Sequence, residues 1–377
     1  MEGGRGRLGL ALVLRAELGR AVGTVDRRAH LEERDLADLH AEVEGDRQVG
    51  DVRQLERQVA LPVRADRVRL SPRLLEWPRG RGVAGEAGAR ATPLNDAVDW
   101  RRDLGGGTSV ALVQAGTFRS DAGALFGPVP RILWDRWVSD EIDPENRLLQ
   151  ALNCLLVETP AGRVLIETGI GERVDDKTRH MRGYEGPWIV QALGTAGFDP
   201  ATVDVVAMSH LHFDHAGGLL AADGSRAFPR ATIVAQRAEW DIALGDNPRL
   251  VASYVQPELE LVRDWGAEGW ADGEREVLPG VSVVPTGGHS AGHQAIVVRA
   301  PGAAPLAFFG DLCMRPWSAN PRWVTAFDDF PLTSVEVKAS LFAQAADEGW
   351  TVVLSHEVRQ PIGRLVRDRD RYRWAPA

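Results

Sequence analysis

The stretch Ser209-His-Leu-His-Phe-Asp-His-Ala-Gly-Gly218 decides the fold of this chain. It places four potential metal ligands within six positions: His210, His212, Asp214 and His215. An apolar run over residues 203–208 precedes it and predicts a short buried strand. Gly217 and Gly218 follow, and we expect them to let the backbone turn sharply. Ligands at the end of a strand have rigid support and face a cleft, as a catalytic metal with an open coordination position requires.

The spacing of these ligands predicts two ions. Alternate side chains of an extended segment share a face, so His210 and His212 can point at one ion. Asp214 and His215 come just after the bend and can point at a second. Imidazole and carboxylate suit zinc, with iron or manganese as alternatives. The chain has nine histidines, and three of them grouped around one aspartate argue against a chance run of surface histidines.

Three further segments carry a potential ligand directly after an apolar strand. They are His289 after residues 281–284, Asp311 after residues 306–309, and His356 after residues 351–354. Scattered histidines would not repeat this arrangement, so these residues are candidates to complete a two-metal site.

Together these residues resemble the ligand set of the metallo-β-lactamase-fold hydrolases, over roughly residues 108–377. The resemblance implies a four-layer αββα sandwich of the mixed α/β (α+β) class, with two zinc ions per chain. It implies that the first ion is held by His210, His212 and His289, the second by Asp214, His215 and His356, and that Asp311 bridges them. Glu167-Thr168-Gly169 matches the family's Asp-Thr-Gly turn, and we expect the Glu to affect support of the site rather than metal binding.

The ligand set predicts metal-assisted hydrolysis. Two cations acidify a bridging water to hydroxide near neutral pH, and this hydroxide attacks a polarised carbonyl or phosphoryl group. Asp214 and Asp311 are the candidate catalytic residues, because either could move a proton to the leaving group. Such a reaction needs no serine or cysteine nucleophile.

Other features narrow the choice among the branches of this family. Zinc β-lactamases usually carry Cys where this chain has Asp311, so antibiotic hydrolysis is not expected. Residues 121–134, 146–157 and 323–332 resemble the quorum-quenching lactonases, above all the acyl-homoserine lactonase-like branch. Residues 314–318 depart from that branch and leave the exact substrate open. The resemblance implies hydrolysis of a lactone or carboxylic ester, with a phosphotriesterase-like hydrolase and a mononuclear iron dioxygenase as alternatives.

Aromatic residues favour an apolar substrate. Six of them fall in segments expected to form loops near the metals, where they would line an apolar site. We expect about half of the six to fill the core instead. They are Phe126, Trp134, Trp137, Trp317, Trp323 and Phe327. His293 and Cys313 lie beside the motifs, and we expect a structural role for each.

Composition argues against other partners. A net charge of −9 disfavours a nucleic-acid partner. The sequence has no run of the roughly eighteen apolar residues that are needed to span a membrane. Cys154 and Cys313, both in apolar contexts, give no disulfide framework and fit the reducing cytoplasm. The predicted partner is a small apolar ester or lactone, and a homodimer stays open.

Residues 1–105 differ in composition from the rest. Up to Arg90 the chain is rich in Arg and has no Lys, Phe or Tyr, so it lacks the surface that would offset its ordering entropy. We expect a disordered extension or a misassigned start there, with a helical pair around residues 31–59 as the alternative. The hydrolase domain is expected at residues 106–377.

Hydrophobic patterns place the elements of that domain. Strands are predicted at residues 109–115, 153–158, 163–167, 203–209, 232–235, 281–285, 295–299, 306–309 and 351–354, and helices at 187–196, 238–243 and 333–348. Thr333 and Glu336 suggest a capping box for the last helix, and Gly349 suggests its end.

Overall fold

The computed structural model describes residues 100–377 apart from 264, 266–268 and 370. The predictions for residues 1–99, including the helical pair, lie outside this range. The described residues form two seven-stranded sheets. The first sheet begins at Arg101, before the boundary predicted at residue 106.

The first sheet has the order β1-β2-β3-β4-β5-β6-β7. Its strands are β1 Arg101–Gly105, β2 Thr108–Asp121, β3 Arg147–Thr159, β4 Gly162–Ile166, β5 Val205–Ala207, β6 Thr232–Gln236 and β7 Trp270–Ala271. Neighbours pair antiparallel from β1 to β4 and parallel from β4 to β7.

The second sheet has the order β14-β13-β12-β11-β10-β9-β8. Its strands are β8 Arg275–Leu278, β9 Val281–Pro285, β10 Gln294–Val298, β11 Leu306–Phe308, β12 Thr351–Val353, β13 Ile362–Asp368 and β14 Arg371–Pro376. Only the β11–β12 pair is parallel within this described sheet.

Eight α-helices join these strands within the described residues. They are α1 Ala122–Phe126, α2 Arg131–Val138, α3 Asp176–Met181, α4 Ile189–Thr195, α5 Phe213–Ala216, α6 Arg237–Ala243, α7 Gln256–Arg263 and α8 Pro331–Asp347. None of the helices described here is long and apolar enough to cross a membrane.

Alternating side chains build the four layers. In β4, Val164 and Ile166 face the second sheet, while Leu165 faces a cluster that includes helix residues of α4, α6 and α7. In β11, Phe308 faces the first sheet and Ala307 packs with α8. Successive side chains of a strand point to opposite faces, so a sheet covered on both sides buries continuous apolar runs. The αββα sandwich expected from the sequence is confirmed.

Gly217 and Gly218 serve a different purpose from the one predicted. They lie in a short 3₁₀ helix, Gly217–Leu219, and neither has a positive φ. A Cβ on Gly217 would stand 2.0 Å from the carbonyl oxygen of Ile170, and one on Gly218 would stand 2.2 Å from that of Thr168. Glycine is therefore needed for close approach of two backbones rather than for a sharp turn.

Two element boundaries also differ from prediction. Strand β2 continues to Asp121, because a β-bulge between Gln114 and Thr117 carries it past the interruption at Gly116. The prediction of a capping box at Thr333 and Glu336 is wrong. Helix α8 begins at Pro331, with Phe330 as its N-cap and no side-chain cap, since proline's fixed φ suits the first helical position. Its predicted end is confirmed, with Gly349 at φ 67° just beyond it.

Candidate metal centre

The seven predicted ligand residues converge at one edge of the two sheets. Their ligand atoms form three overlapping groups, each within 4.8 Å: His210, His212 and His289; His210, His215 and Asp311; Asp214, His215 and His356. The loop after β5 supplies four of the residues, and the segments after β9, β11 and β12 supply the other three. Their assignment as ligands stays a prediction, but the fold brings every one of them together.

Asp311 lies between the groups. Its Oδ1 is 3.2 Å from Nε2 of His215 and 3.1 Å from Nε2 of His356. Its Oδ2 is 3.4 Å from Nε2 of His289. Asp214 stands at one side only, with Oδ2 3.9 Å from His215 Nε2 and 3.7 Å from His356 Nε2. A carboxylate whose two oxygens face different histidines has the placement that a bridging ligand needs.

Several buried imidazole nitrogens lack the partners that burial demands. Nε2 of His210, His212, His215 and His356 is buried with no hydrogen-bond partner. In His215 and His356 this atom faces Asp311 without hydrogen-bond geometry. Buried polar atoms are almost always satisfied, so a group of orphaned ring nitrogens around a carboxylate fits a divalent cation.

The opposite ring nitrogens are held by the protein. Nδ1 of His215 lies 3.2 Å from Glu167 Oε2, and Nδ1 of His289 lies 2.8 Å from Asp328 Oδ1. His356 donates from Nδ1 to the carbonyl oxygen of Ala151 at 2.8 Å. Partners of this kind fix the orientation of a histidine and leave Nε2 to coordinate.

Burial sets the charge of the site. It lowers the pKa of His210 and His212 well below the ordinary value, and neighbouring imidazoles lower both further. Burial raises the pKa of Asp311, but His215 and His356 outweigh it and hold this pKa well below its usual range. His210 and His212 are therefore neutral imidazoles and Asp311 is an ionised carboxylate, the forms in which these groups bind metals. Burial also lowers the pKa of His215 and His289, but neighbouring carboxylates outweigh it and raise both, so metal binding would release protons from these two rings.

Glu167 supports the site as the sequence suggested. Its Oε1 accepts the Ser209 N–H at 2.8 Å while Oε2 faces His215. The residue has φ 66°, a left-handed conformation that non-glycine residues adopt at a cost.

Glu239 supports the same loop, and the sequence patterns did not predict it. It is fully buried and accepts four hydrogen bonds, from the Leu211 and Gly292 N–H groups and from the Tyr254 and Ser290 hydroxyls. Burial raises its pKa, and these bonds oppose the rise. Glu239 lies within α6 rather than at a strand end, so no local pattern marks it.

No Gly-x-Ser-x-Gly motif was expected in this chain, and that expectation is wrong, because residues 288–292 match this pattern of serine hydrolases. Ser290 is fully buried, and its hydroxyl donates to Glu239 at 2.6 Å. Ser290 therefore supports the segment that carries His289 and is not exposed as a nucleophile would be; a reaction without a serine nucleophile stays a prediction.

The two residues beside the motifs have structural contacts. His293 accepts the Asp311 N–H at Nε2 and meets the Thr286 hydroxyl through Nδ1. Cys313 is buried and packs in the apolar cluster under α8. Both cysteines are free, as expected.

The six predicted aromatic residues differ in where they lie. Phe126, in α1, stacks on Trp134 at 4.7 Å and contacts Trp317 and Trp323, so these four form a separate apolar cluster. Trp137 and Phe327 are exposed. The expectation of loops is wrong for Phe126, Trp134 and Trp137, because α1 and α2 form there. Trp317, Trp323 and Phe327 lie outside the α-helices and strands, and Phe327 directly precedes Asp328, which contacts His289.

Different aromatic residues line the cavity beside the centre. A cavity of about 360 Å³ adjoins the loop that carries the ligands, and Tyr184, Phe213 and Tyr254 form part of its wall. Phe213 lies between His212 and Asp214, and the Tyr254 ring is 4.8 Å from that of His212. Small-molecule sites have volumes of roughly 300–1,000 Å³. The cavity has the size of a substrate site.

Known proteins match this chain over the same region. A family profile described as the metallo-beta-lactamase superfamily matches residues 149–356. An N-acyl homoserine lactonase from Bacillus cereus is 32% identical over 186 residues, covering 46% of this chain and 69% of the relative. The N-acyl homoserine lactonase AttM of Agrobacterium fabrum is 29% identical over 216 residues, covering 54% of this chain and 80% of the relative.

Solved structures share the fold. A structure from Staphylococcus aureus, described as a probable metal-dependent hydrolase, aligns with a TM-score of 0.65 and 26% identity over 72% of this chain and 98% of its own. AidC, described as a dizinc quorum-quenching lactonase in complex with a product, aligns with a TM-score of 0.64 and 18% identity over 74% of this chain and 97% of its own. At 18% identity the second likeness supports the fold alone.

Proposed function

The chain belongs to the metallo-beta-lactamase superfamily, and on that premise we propose that it is a dinuclear zinc lactonase that opens N-acyl homoserine lactones. The observation that carries the proposal is the group of buried, unpartnered imidazole nitrogens gathered around Asp311. The relatives named as N-acyl homoserine lactonases support the substrate class.

In this proposal the seven residues form two ligand groups that share Asp311. His210, His212 and His289 would hold one ion, Asp214, His215 and His356 would hold the other, and Asp311 lies between these two groups of residues. Bound zinc ions supply Lewis acidity and an acidified water. The protein's contribution is to orient the ligands, because the groups that hold Nδ1 of His215, His289 and His356 prevent these three rings from turning away.

Asp214 is the better placed of the two candidate proton carriers. Its side chain keeps 12% exposure and adjoins the cavity wall through Phe213, whereas that of Asp311 keeps 8% and also accepts a hydrogen bond from Ser355. In ring opening, the leaving alkoxide needs a proton. We assign its delivery to Asp214, whose carboxylate would take the proton that the attacking water loses and pass it to the alkoxide, with Asp311 as the alternative.

Activity on matched substrate classes tests the function. We measure kcat/KM of the zinc-loaded protein on N-acyl homoserine lactones, aryl esters and phosphotriesters, and expect the lactones to be the best substrates. Asp214→Asn should lower kcat/KM by at least about 100-fold. Asp241→Asn, the same change on an exposed position of α6, should leave it unchanged.

Two results would contradict the proposal. Full activity of Asp214→Asn on every substrate would show that the site is wrongly assigned. Highest kcat/KM on phosphotriesters would leave the metal site intact but replace the lactone as substrate.

A further inference from the structure

Arg182 stands where the cavity meets the candidate metal centre. It follows α3 directly as the C-cap residue, and its side chain lines the cavity. The centre of its guanidinium lies 3.6 Å from the centroid of the Phe213 ring. Because Phe213 lies between His212 and Asp214, this cation is close to the ligand loop.

The other charged groups of the cavity are engaged. Arg173 pairs with Glu258 at 3.0 Å, and Asp175 accepts the N–H and hydroxyl of Thr178 at the start of α3. Most of the remaining wall is apolar, including Ile170 and Val255. A cavity with this lining suits an acyl chain.

The guanidinium of Arg182 has N–H donors that are not used within the described residues. Among the described residues its guanidinium makes no hydrogen bond and no ion pair, and its Nε is buried without a partner. Stacking on an aromatic ring uses the face of the guanidinium and leaves the N–H groups at its edge. Burial lowers the pKa of Arg182 and the nearby Asp214 raises it, but arginine remains charged at any physiological pH.

We infer that Arg182 is a specificity-determining residue whose guanidinium donates a hydrogen bond to the amide carbonyl oxygen of an N-acylated lactone. This inference rests on the proposed function. It places the acyl chain along the apolar wall and the lactone ring at the metal centre, with the amide between them. A charge-assisted hydrogen bond in a partly desolvated site contributes more than a neutral one.

A matched pair of substrates isolates this contact. N-hexanoyl homoserine lactone carries the amide carbonyl, and α-heptyl-γ-butyrolactone has a chain of equal length without it. Arg182→Met should lower kcat/KM for the first substrate by about tenfold to a hundredfold, mainly through a higher KM. It should leave kcat/KM for the second within about twofold. Arg179→Met is the control, since Arg179 lies in the last turn of α3 close to Arg182, stacks on Trp188 and is not part of the cavity wall.

Binding gives a second readout. The unreactive lactam analogue of the first substrate, titrated calorimetrically, should bind Arg182→Met about tenfold or more weakly than it binds wild type and Arg179→Met. Equal losses on both lactones would mean that Arg182 acts through the metal loop, and no loss on either would also overturn the inference. A wild-type protein that neither hydrolyses these lactones nor binds the lactam would contradict the proposed function, and this inference with it.

Discussion

Glu167 shows how single residues hold the candidate centre in place. One carboxylate ties the backbone of Ser209, at the end of β5, to the ring of His215. Its left-handed φ of 66° costs of order 1–3 kcal/mol and persists only where the surroundings enforce it. The strained backbone and the hydrogen bonds together indicate that this residue orients a ligand.

Removing the Glu167 charge should weaken metal binding. Glu167→Gln keeps the size of the side chain but loses the anion that faces His215, and losses of this kind typically cost 10–100-fold in metal affinity. We expect a zinc dissociation constant about 10–100-fold higher in a chelator competition. Glu172→Gln, whose carboxylate contacts Gln191 outside the centre, should match wild type. An unchanged affinity in Glu167→Gln would remove Glu167 from the support of the site.

Lys338 gives a test of stability against pH. Burial lowers its pKa to about 8, although Asp328 and Cys313 raise it. Between about 8 and the unfolded value near 10.4, the unfolded chain holds a proton that the folded chain has released. Stability contributed by this group therefore rises with pH.

Urea unfolding at two pH values measures this rise. Between pH 7.5 and 9.5, wild type should gain roughly 2 kcal/mol relative to Lys338→Met, which cannot titrate. Parallel pH dependence of the two proteins would show that Lys338 keeps its ordinary pKa in the folded state.

The sequence marks the seven candidate ligands by a local pattern. Each lies in a segment that follows an apolar strand, and the fold brings all seven together, although their role as ligands stays a prediction. The partners of these ligands carry no such mark. Glu239 reaches Leu211 across 28 positions, and Ala151 reaches His356 across 205. Only the folded chain reveals these contacts.

At the scale of elements, α8 anchors one outer layer of the sandwich. Phe342 on its inner face is fully buried against Phe309 and Tyr372. Leu332, in its first turn, keeps 79% exposure. The helix therefore provides a buried position and an exposed one for the same kind of substitution.

Truncation of these two side chains should lower the free energy of unfolding by different amounts. Phe342→Ala should lower the free energy of unfolding by about 3–5 kcal/mol, because it removes buried surface and leaves a cavity. Leu332→Ala should change it by less than about 0.5 kcal/mol. Urea denaturation measures both, and equal effects would mean that α8 does not pack as described.

Elements with a clear apolar run were predictable, and those without one were not. β9 and β12 match their predicted positions closely. β13 and β14 were missed because they alternate apolar residues with exposed arginines such as Arg364 and Arg373 and so contain no continuous apolar run. The start of α8 was misplaced, because Pro331 rather than a hydroxyl side chain begins it.

For the whole molecule, the candidate centre connects the two sheets. His210 and His215 follow a strand of the first sheet, whereas His289, Asp311 and His356 follow strands of the second. Bound ions would therefore link the two halves of the sandwich. A ligand that binds only the folded state adds stability that grows with its concentration.

Metal removal should lower thermal stability. At a zinc concentration 100 times the dissociation constant, binding adds about 2.7 kcal/mol, which corresponds to roughly 5–10 °C in Tm for a domain of this size. We expect a chelator to lower Tm by this amount and zinc to restore it. A Tm that is indifferent to both would place the ions outside the folded core.

We propose that seven residues form a two-metal centre, and a calorimetric titration of the metal-free protein with zinc counts the ions that they bind. We expect saturation at two ions per chain in the wild type. Saturation at one ion, or no saturable binding, would contradict it.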